Sequence, residues 1–281
     1  MRFGIFNKFG AANSHPVFAA FGRALDRLGH AWQPHDSTAD AAVIWSVLWS
    51  GRMRANRDIW TVFRNTGRPV VVLEVGMLRR GHTWKMGING TGQDAIWVPV
   101  LGPARAQQLN LNLQAWQRPG SDVVIALQRT DSEQWQGLPD ISCWIRDTVD
   151  ALRVHTDRPI RIRPHPRQRV QIPAGCTVEI PRPIPGTYDD FDFDHGLRTA
   201  WCVVNWNSGP GCQSVIQGVP AFVGASSLAA PVAGLDWSRI EQPVRPERQD
   251  WFDRVCHTEW TVEEIAQGDP VSALLGLLES G

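Results

Sequence analysis

Trp201-Cys202-Val203-Val204-Asn205-Trp206-Asn207-Ser208-Gly209-Pro210-Gly211-Cys212-Gln213-Ser214-Val215-Ile216-Gln217-Gly218-Val219-Pro220-Ala221-Phe222-Val223 reads as an apolar strand, a small glycine-bearing turn, a short helix stopped by Gly218, and a second apolar strand. Strand, tight turn, helix and strand make the unit from which α/β proteins are wound. A turn of Asn, Ser, Gly and Pro sets backbone N–H groups at a helix N-terminus with no bulky side chain in front of them, which suits an anion such as phosphate. Alone, the pattern fits an ordinary strand-turn-helix connection equally well.

The same alternation runs outward from it in both directions. Residues 2–8 form a predicted strand. Residues 16–28 carry Val17, Phe18, Phe21, Leu25 and Leu28 at helical spacing, with Ser14 as N-cap and Gly29 as stop. Strands at 42–49 and 69–75 flank a helix at 57–64 that Gly67 ends. In the second half, strands are expected at 122–127, 159–163, 177–180, 201–205 and 221–224, with an amphipathic helix at 141–154. Residues 99–120, with prolines at 99, 103 and 119, read as a linker. The expected fold is α/β: two Rossmann-like doubly wound domains, 1–118 and 119–260, whose strand C-terminal ends face a shared cleft. A C-terminal helical segment, 261–281, is expected to brace the first domain.

Composition narrows the function classes. The chain of 281 residues is 43% apolar and 20% charged, and Lys+Arg and Asp+Glu both count 28. No whole-molecule field draws it to nucleic acid or membrane, so a polyanion would be held by local patches. The five cysteines (Cys143, Cys176, Cys202, Cys212 and Cys256) show no C-x-x-C pair, which suits buried thiols in a reducing cytoplasm. Residues 1–6 read as a strand rather than a secretory signal, and no apolar run approaches the ~20 residues of a spanning helix. Of the fourteen tryptophans, Trp45, Trp60, Trp144 and Trp201 belong to apolar stretches. Trp84, Trp135 and Trp206 fall at strand ends, where a ring can stack on a base or sugar.

Three loops at strand C-termini of the second half carry groups that bind phosphate: Gln128-Arg129-Thr130, the basic stretch 161–167 with Arg163 and His165, and the 208–214 turn. The Arg163-Pro164-His165-Pro166 turn, the Asn207-Ser208-Gly209-Pro210-Gly211 turn ahead of Gly218-Val219-Pro220, and the paired α/β domains make the chain similar to two-domain GT-B glycosyltransferases. The resemblance extends to capsule-type transferases with a His-Pro motif and to phage enzymes that glycosylate DNA bases. It implies a nucleotide-sugar donor, with UDP as the expected nucleotide, whose diphosphate is held by Gln128, Arg129, Arg163, His165, Ser208, Gly209 and Gly211. Gln213 and Ser214 are then expected at the ribose or base, although Gln213 stands where many such enzymes place Glu. No catalytic cofactor or metal is expected, because the helix dipole and basic side chains of that family neutralise the leaving diphosphate. Of the only acidic run, 189–195, a solvated loop is the simpler reading.

Glu74 ends a buried strand in the first half, where partial desolvation suits a general base. The resemblance supports a base in this acid-x-Gly segment; an alternative is a structural Glu paired with Arg79 or Arg80. Asp94 is the second choice. Asn13, Arg79, Arg80, Trp84 and Lys85 are the expected acceptor contacts, Trp49 being a second stacking candidate. Arg52, Arg54 and Arg57 form a basic rim suited to phosphates or to an anionic polysaccharide. The expected function is transfer of a sugar to a 5-hydroxymethylpyrimidine, such as hydroxymethylcytosine, in bacteriophage DNA. The expected partners are a nucleotide-sugar and duplex DNA, with no membrane, for a cytoplasmic monomer. A capsule or lipopolysaccharide glycosyltransferase, a nucleotide-sugar epimerase and a non-catalytic nucleic-acid-binding protein are the alternatives.

Overall fold

In the computed structural model, residues 1–117, 120–187 and 190–279 are described, with all their side chains except those of His195 and Glu279. Pro119 of the expected linker and Asp189 of the acidic run lie outside the described residues. The chain divides into two units: Met1–Leu109 with Asp131–Glu133 and Asp253–Gly281, and Asn110–Thr130 with Gln134–Phe252.

The first unit opens with β1 (Arg2–Ile5), α1 (His15–Arg27), β2 (Ala31–Pro34), β3 (Ala41–Trp45), α2 (Asn56–Asn65), β4 (Val70–Val75), β5 (Trp84–Ile88), β6 (Ile96–Trp97) and α3 (Arg105–Gln108). The second contains β7 (Asp122–Ala126), α4 (Ile141–Arg153), β8 (Ile160–Arg163), β9 (Thr177–Val178), α5 (Phe193–Leu197), β10 (Ala200–Val204), α6 (Gly209–Ile216) and β11 (Ala221–Phe222). Along α7 (Gln249–Cys256) the chain passes back to the first unit, which β12 (Glu259–Trp260), α8 (Val262–Gln267) and α9 (Asp269–Glu279) complete.

The first sheet runs β12-β5-β4-β3-β1-β2, with β6 also on β5. β1 to β4 are parallel, whereas β5 pairs antiparallel with β4, β6 and β12. The reversal at β5 departs from the doubly wound expectation. Alternate residues of each strand feed opposite faces. Val43, Trp45, Val71 and Leu73 meet Val17, Phe18, Phe21 and Leu25 of α1, together with Ile265 of α8 and Leu274 and Leu275 of α9. Ala42, Ile44, Val70 and Val72 meet Trp60 and Phe63 on the α2 side. Each fully buried Val, Leu, Ile or Phe among them stabilises the unit by about 1.5–3 kcal/mol. The second sheet, β11-β10-β7-β8-β9, is parallel throughout. Helix α4 covers one face with Trp144, Ile145, Val149 and Leu152, and Phe193 and Leu197 of α5 cover the other.

Two expected boundaries move for physical reasons. The stretch expected to be a linker contains α3, whose Arg105 is 3% exposed. Its guanidinium reaches the carbonyls of Cys256 and Glu259, pairs with Glu264 and stacks 4.0 Å from the Trp260 ring centre. Residues 253–260, expected in the second domain, belong to the first because β12 pairs with β5. Thr261 caps α8 by a capping box with Glu264.

All five cysteines are free thiols. Burial pushes the Cys256 thiol up to about 12, so that group is inert as a nucleophile. Three carboxylates carry acid-sensitive stability. Burial alone would raise Glu264, but the Arg105 guanidinium and the Thr261 N–H more than offset it and hold the group below its ordinary 4.5. Burial is likewise outweighed at Glu241 by Thr156 and Arg158, and at Asp192 by the Arg182 N–H and Arg163. A lowered folded value means stability that is present above the ordinary values, 4.5 for Glu and 3.8 for Asp, and lost as pH falls through the folded ones. Burial, with the Lys8 charge, also holds the His35 imidazole below its ordinary 6.5, so its contribution is lost as pH falls from 6.5. The urea midpoint is therefore expected to begin to fall below about pH 6.5 and to drop more steeply below ~4.5. A midpoint unchanged at about pH 3 would contradict these pairings.

Candidate functional site

In the second unit β10, β7 and β8 are adjacent and parallel, so the chain leaves all three at one sheet edge. That edge gathers the 205–211 turn after β10, Gln128 and Arg129 after β7, and His165 after β8. Asn205, 1% exposed, organises the turn. Its Nδ2 donates to Ala126 O and Ser208 Oγ, both at 2.8 Å, and its Oδ1 accepts from Ser208 N at 2.9 Å. Gly211 lets α6 pack tightly, since a Cβ there would lie 3.0 Å from Val223 Cγ1 and 3.2 Å from Asn205 Oδ1.

The cradle is narrower than the sequence suggests. Asn207 N donates to Gln128 Oε1 at 2.7 Å, Ser208 N to Asn205, and Gly211 N to Ser208 O at 3.2 Å, while Pro210 has no N–H. Among the described residues, Gly209 N is the amide of this run left for an anion, together with the field of the α6 N-terminus. His165 Nδ1 accepts from Arg167 N at 3.1 Å, which puts the ring proton on Nε2 and makes that atom a donor. Arg129, next to Gln128 after β7, is half-buried.

Several expected ligand residues turn out to be struts. Gln128 is 5% exposed and holds Asn207. Arg163 is 6% exposed and paired with Glu179 and with Asp192 at 3.2 Å, so its charge is spent inside the unit rather than on a diphosphate. The same pairing makes Asp192 of the acidic run a structural anchor. Ser214 is fully buried and donates to Gly211 O within α6, which removes it from any ribose contact. Gln213, beside it, is half-buried. Trp135 and Trp206 pack against the core, with their Nε1 atoms on Pro139 O and Gln134 O.

In the first unit Glu74 stands near the C-terminal end of β4. Ladder register sets Lys85 opposite Glu74 and Glu259 opposite Lys85, so the three side chains share one sheet face. Ser46 Oγ donates to Glu74 Oε1 at 3.0 Å. Sequence reasoning missed both Ser46 and Glu259, and only the pairing of distant strands brings them here. Glu259 is fully buried; it accepts from Met77 N at 2.6 Å, Leu78 N at 3.1 Å and Thr83 Oγ1 at 2.7 Å, fastening the loop after Glu74. Gly76 of the acid-x-Gly segment is explained by this packing, because a Cβ would overlap Glu259 Oε2 and sit 2.5 Å from Thr83 O. Arg79 in that loop donates to Leu109 O at 2.9 Å, and Arg80 is half-buried beside it.

Asp94 does not join Glu74. β5 runs antiparallel to β4, so its far end and the turn bearing exposed Asp94 lie at the opposite sheet edge, more than ~13 Å away along the strands. Trp84 packs against the first core with a buried Nε1 that has no partner among the described residues. Trp49 is 8% exposed and donates to Glu133 at 3.1 Å, so it is spent on packing rather than on a flipped base. The expected N-cap role of Ser14 is absent: its side chain makes no cap bond and is fully buried. Asn13 Oδ1 is also buried, with no partner among the described residues.

At the edge where β1 and β3 end, an open cavity of about 860 Å³ is lined by Lys8, Phe9, Arg52, Arg54, Arg57 and Asp58. The four cationic side chains are all exposed. Among the described residues no group of three or more His, Cys, Asp or Glu is arranged to hold a metal ion, and no helix is long and apolar enough to cross a membrane.

No protein-family model and no curated protein matches the chain. Among solved structures it is similar to the beta Kdo 2,7 transferase of Thermosulfurimonas dismutans KpsC, with 13% identity, 99% of this chain and 100% of that one covered, and a TM-score of 0.52. The beta Kdo 2,4 transferase of the same KpsC gives 13% identity, 98% of each chain and a TM-score of 0.50. A Methanocaldococcus jannaschii UDP-GlcNAc 2-epimerase aligns at 10% identity over the whole of both chains, but its TM-score of 0.33 carries no argument. The fold of this mixed α/β chain is thus like that of these two KpsC Kdo transferases over 98–99% of its length.

Proposed function

We propose that the protein is a glycosyltransferase that moves a sugar from a nucleotide-sugar to a hydroxyl of an anionic glycan. The observation that carries the reading is the gathering of Arg129, the His165 Nε2 donor and the Gly209 amide at one edge of three adjacent parallel strands, in a chain that follows the KpsC transferase fold from end to end. Those donors suit a nucleotide diphosphate or monophosphate. In the reaction, Glu74 takes the acceptor hydroxyl proton as that oxygen bonds to the anomeric carbon. The bond from that carbon to the phosphate oxygen breaks, its electron pair leaves with the nucleotide, and the second-unit donors stabilise the charge that develops there.

The cavity beside Lys8, Arg52, Arg54 and Arg57 favours a glycan over DNA as acceptor. Its lining includes Asp58, which accepts hydrogen bonds from sugar hydroxyls and repels phosphates, and Phe9, whose ring suits the apolar face of a pyranose. The hydroxymethylpyrimidine reading has only the cations in its favour. The test is a panel of UDP-, GDP- and CMP-sugars offered with acidic oligosaccharides, neutral oligosaccharides, hydroxymethylated duplex DNA and plain duplex DNA. Transfer to the acidic oligosaccharide is expected. Transfer to hydroxymethylated DNA alone would restore the DNA reading, and no transfer with any donor would end the glycosyltransferase one. His165→Ala should weaken donor binding about tenfold, one charge-assisted hydrogen bond's worth, by calorimetry. Unchanged affinity would remove His165 from the donor site.

A further inference from the structure

We infer that Ser46 is the positioning residue of Glu74, and that its strained backbone is retained for that purpose. The inference rests on the reading of Glu74 as the base. Ser46 follows the buried strand β3 and is itself 2% exposed. Its φ is 61°, in the left-handed region that side-chain-bearing residues avoid. The other described non-glycine residues there are His35, Asn89 and Asn110, types that adopt the region far more readily. A buried serine in this state persists only where its surroundings over-determine it. They do so here: Ser46 N donates to Leu73 O at 2.7 Å, and the next residues are clamped by Glu133 N to Val47 O at 2.9 Å and Trp49 N to Asp131 O at 2.6 Å.

The conformation fixes the hydroxyl. Ser46 Oγ accepts from Leu48 N at 3.1 Å and therefore turns its proton to Glu74 Oε1 at 3.0 Å. With Oε1 tied, Oε2 is the oxygen that receives the acceptor proton. Glycine would take this backbone without strain but would lose the hydroxyl, so the serine trades stability for the hold on Glu74.

Ser46→Gly and Ser46→Ala separate the two effects, because both delete the hydroxyl while only Ala keeps the strain. Ser46→Gly is expected to melt about 2–4 °C above Ser46→Ala. Both should lose at least about tenfold in kcat, with the donor KM within about twofold of wild type, and Ser46→Ala added to Glu74→Gln should cost nothing further. A purely structural role predicts the reverse, with kcat following melting temperature and Ser46→Gly recovering activity. That recovery, wild-type kcat in both variants, or a full additional loss in the double variant would overturn the inference. A wild-type protein that turns over no nucleotide-sugar would overturn the glycosyltransferase reading itself, an outcome distinct from these.

Discussion

Glu74→Gln is expected to fold as the wild type does, to bind the donor with unchanged affinity, and to lose roughly 10²–10⁴ in kcat, the usual range for removing a general base. The amide is isosteric with the carboxylate and its oxygen still accepts from Ser46, so the local structure has little reason to move. What disappears is the ability to take a proton. Single-turnover transfer, with donor affinity measured separately by calorimetry, distinguishes a lost base from a lost binding group. Asp94→Asn is the matched control: its position at the other end of β4 predicts wild-type turnover. If Glu74→Gln transferred at the wild-type rate the base would lie elsewhere, and a collapse in Asp94→Asn would return the role to that residue.

The contrast between Glu74 and Asp94 shows where local sequence patterns stop being informative. Val70-Val71-Val72-Leu73 announces a buried strand, and a carboxylate near its end is readable as a site residue. Nothing within a few positions of Trp84-Lys85-Met86-Gly87-Ile88 announces that the next strand turns back antiparallel, which sends Asp94 to the far edge. Arg105 makes the same point: between prolines it reads as linker, and its burial depends on partners more than 150 residues away. In the second unit the placement of the turn after β10, of Arg129 and of His165 just beyond strand ends was legible, because each lies within three residues of the strand before it. Arg163 and Gln128 were misread because the residue types that bind phosphate also make buried ion pairs and amide struts. Which of these they do is decided by Glu179, Asp192 and Asn207, whose positions depend on the packed sheet.

Glu259→Ala is expected to be the most destabilising single change in the first unit, costing about 3–5 kcal/mol by urea unfolding. The carboxylate is fully buried and satisfies Met77 N, Leu78 N and the Thr83 hydroxyl; truncation leaves the two amides without an acceptor, the hydroxyl with only its longer bond to Arg79 O at 3.2 Å, and a cavity that Gly76 does not fill. Each orphaned buried donor costs about 1–3 kcal/mol, and incomplete relaxation or water entry keeps the total below the full sum. Glu259→Gln retains the volume and one acceptor oxygen but faces its NH₂ toward backbone donors, so about 2 kcal/mol is expected for it. With a whole-protein stability of roughly 5–15 kcal/mol, the alanine variant approaches the limit of folding at 37 °C while the glutamine variant stays folded and assayable. In Glu259→Gln, amide exchange should quicken first at Leu78, ahead of the β3–β4 core, because Met77 N and Leu78 N then share the one remaining oxygen and Leu78 loses the shorter of its two bonds, while the strand ladder is untouched. Transfer activity should fall with it, since the loop that Glu259 fastens carries Arg79 and Arg80 directly after Glu74. A Glu259→Ala protein within about 0.5 kcal/mol of wild type, the range of a neutral surface change, would mean that the loop finds other acceptors and that Glu259 does not hold it.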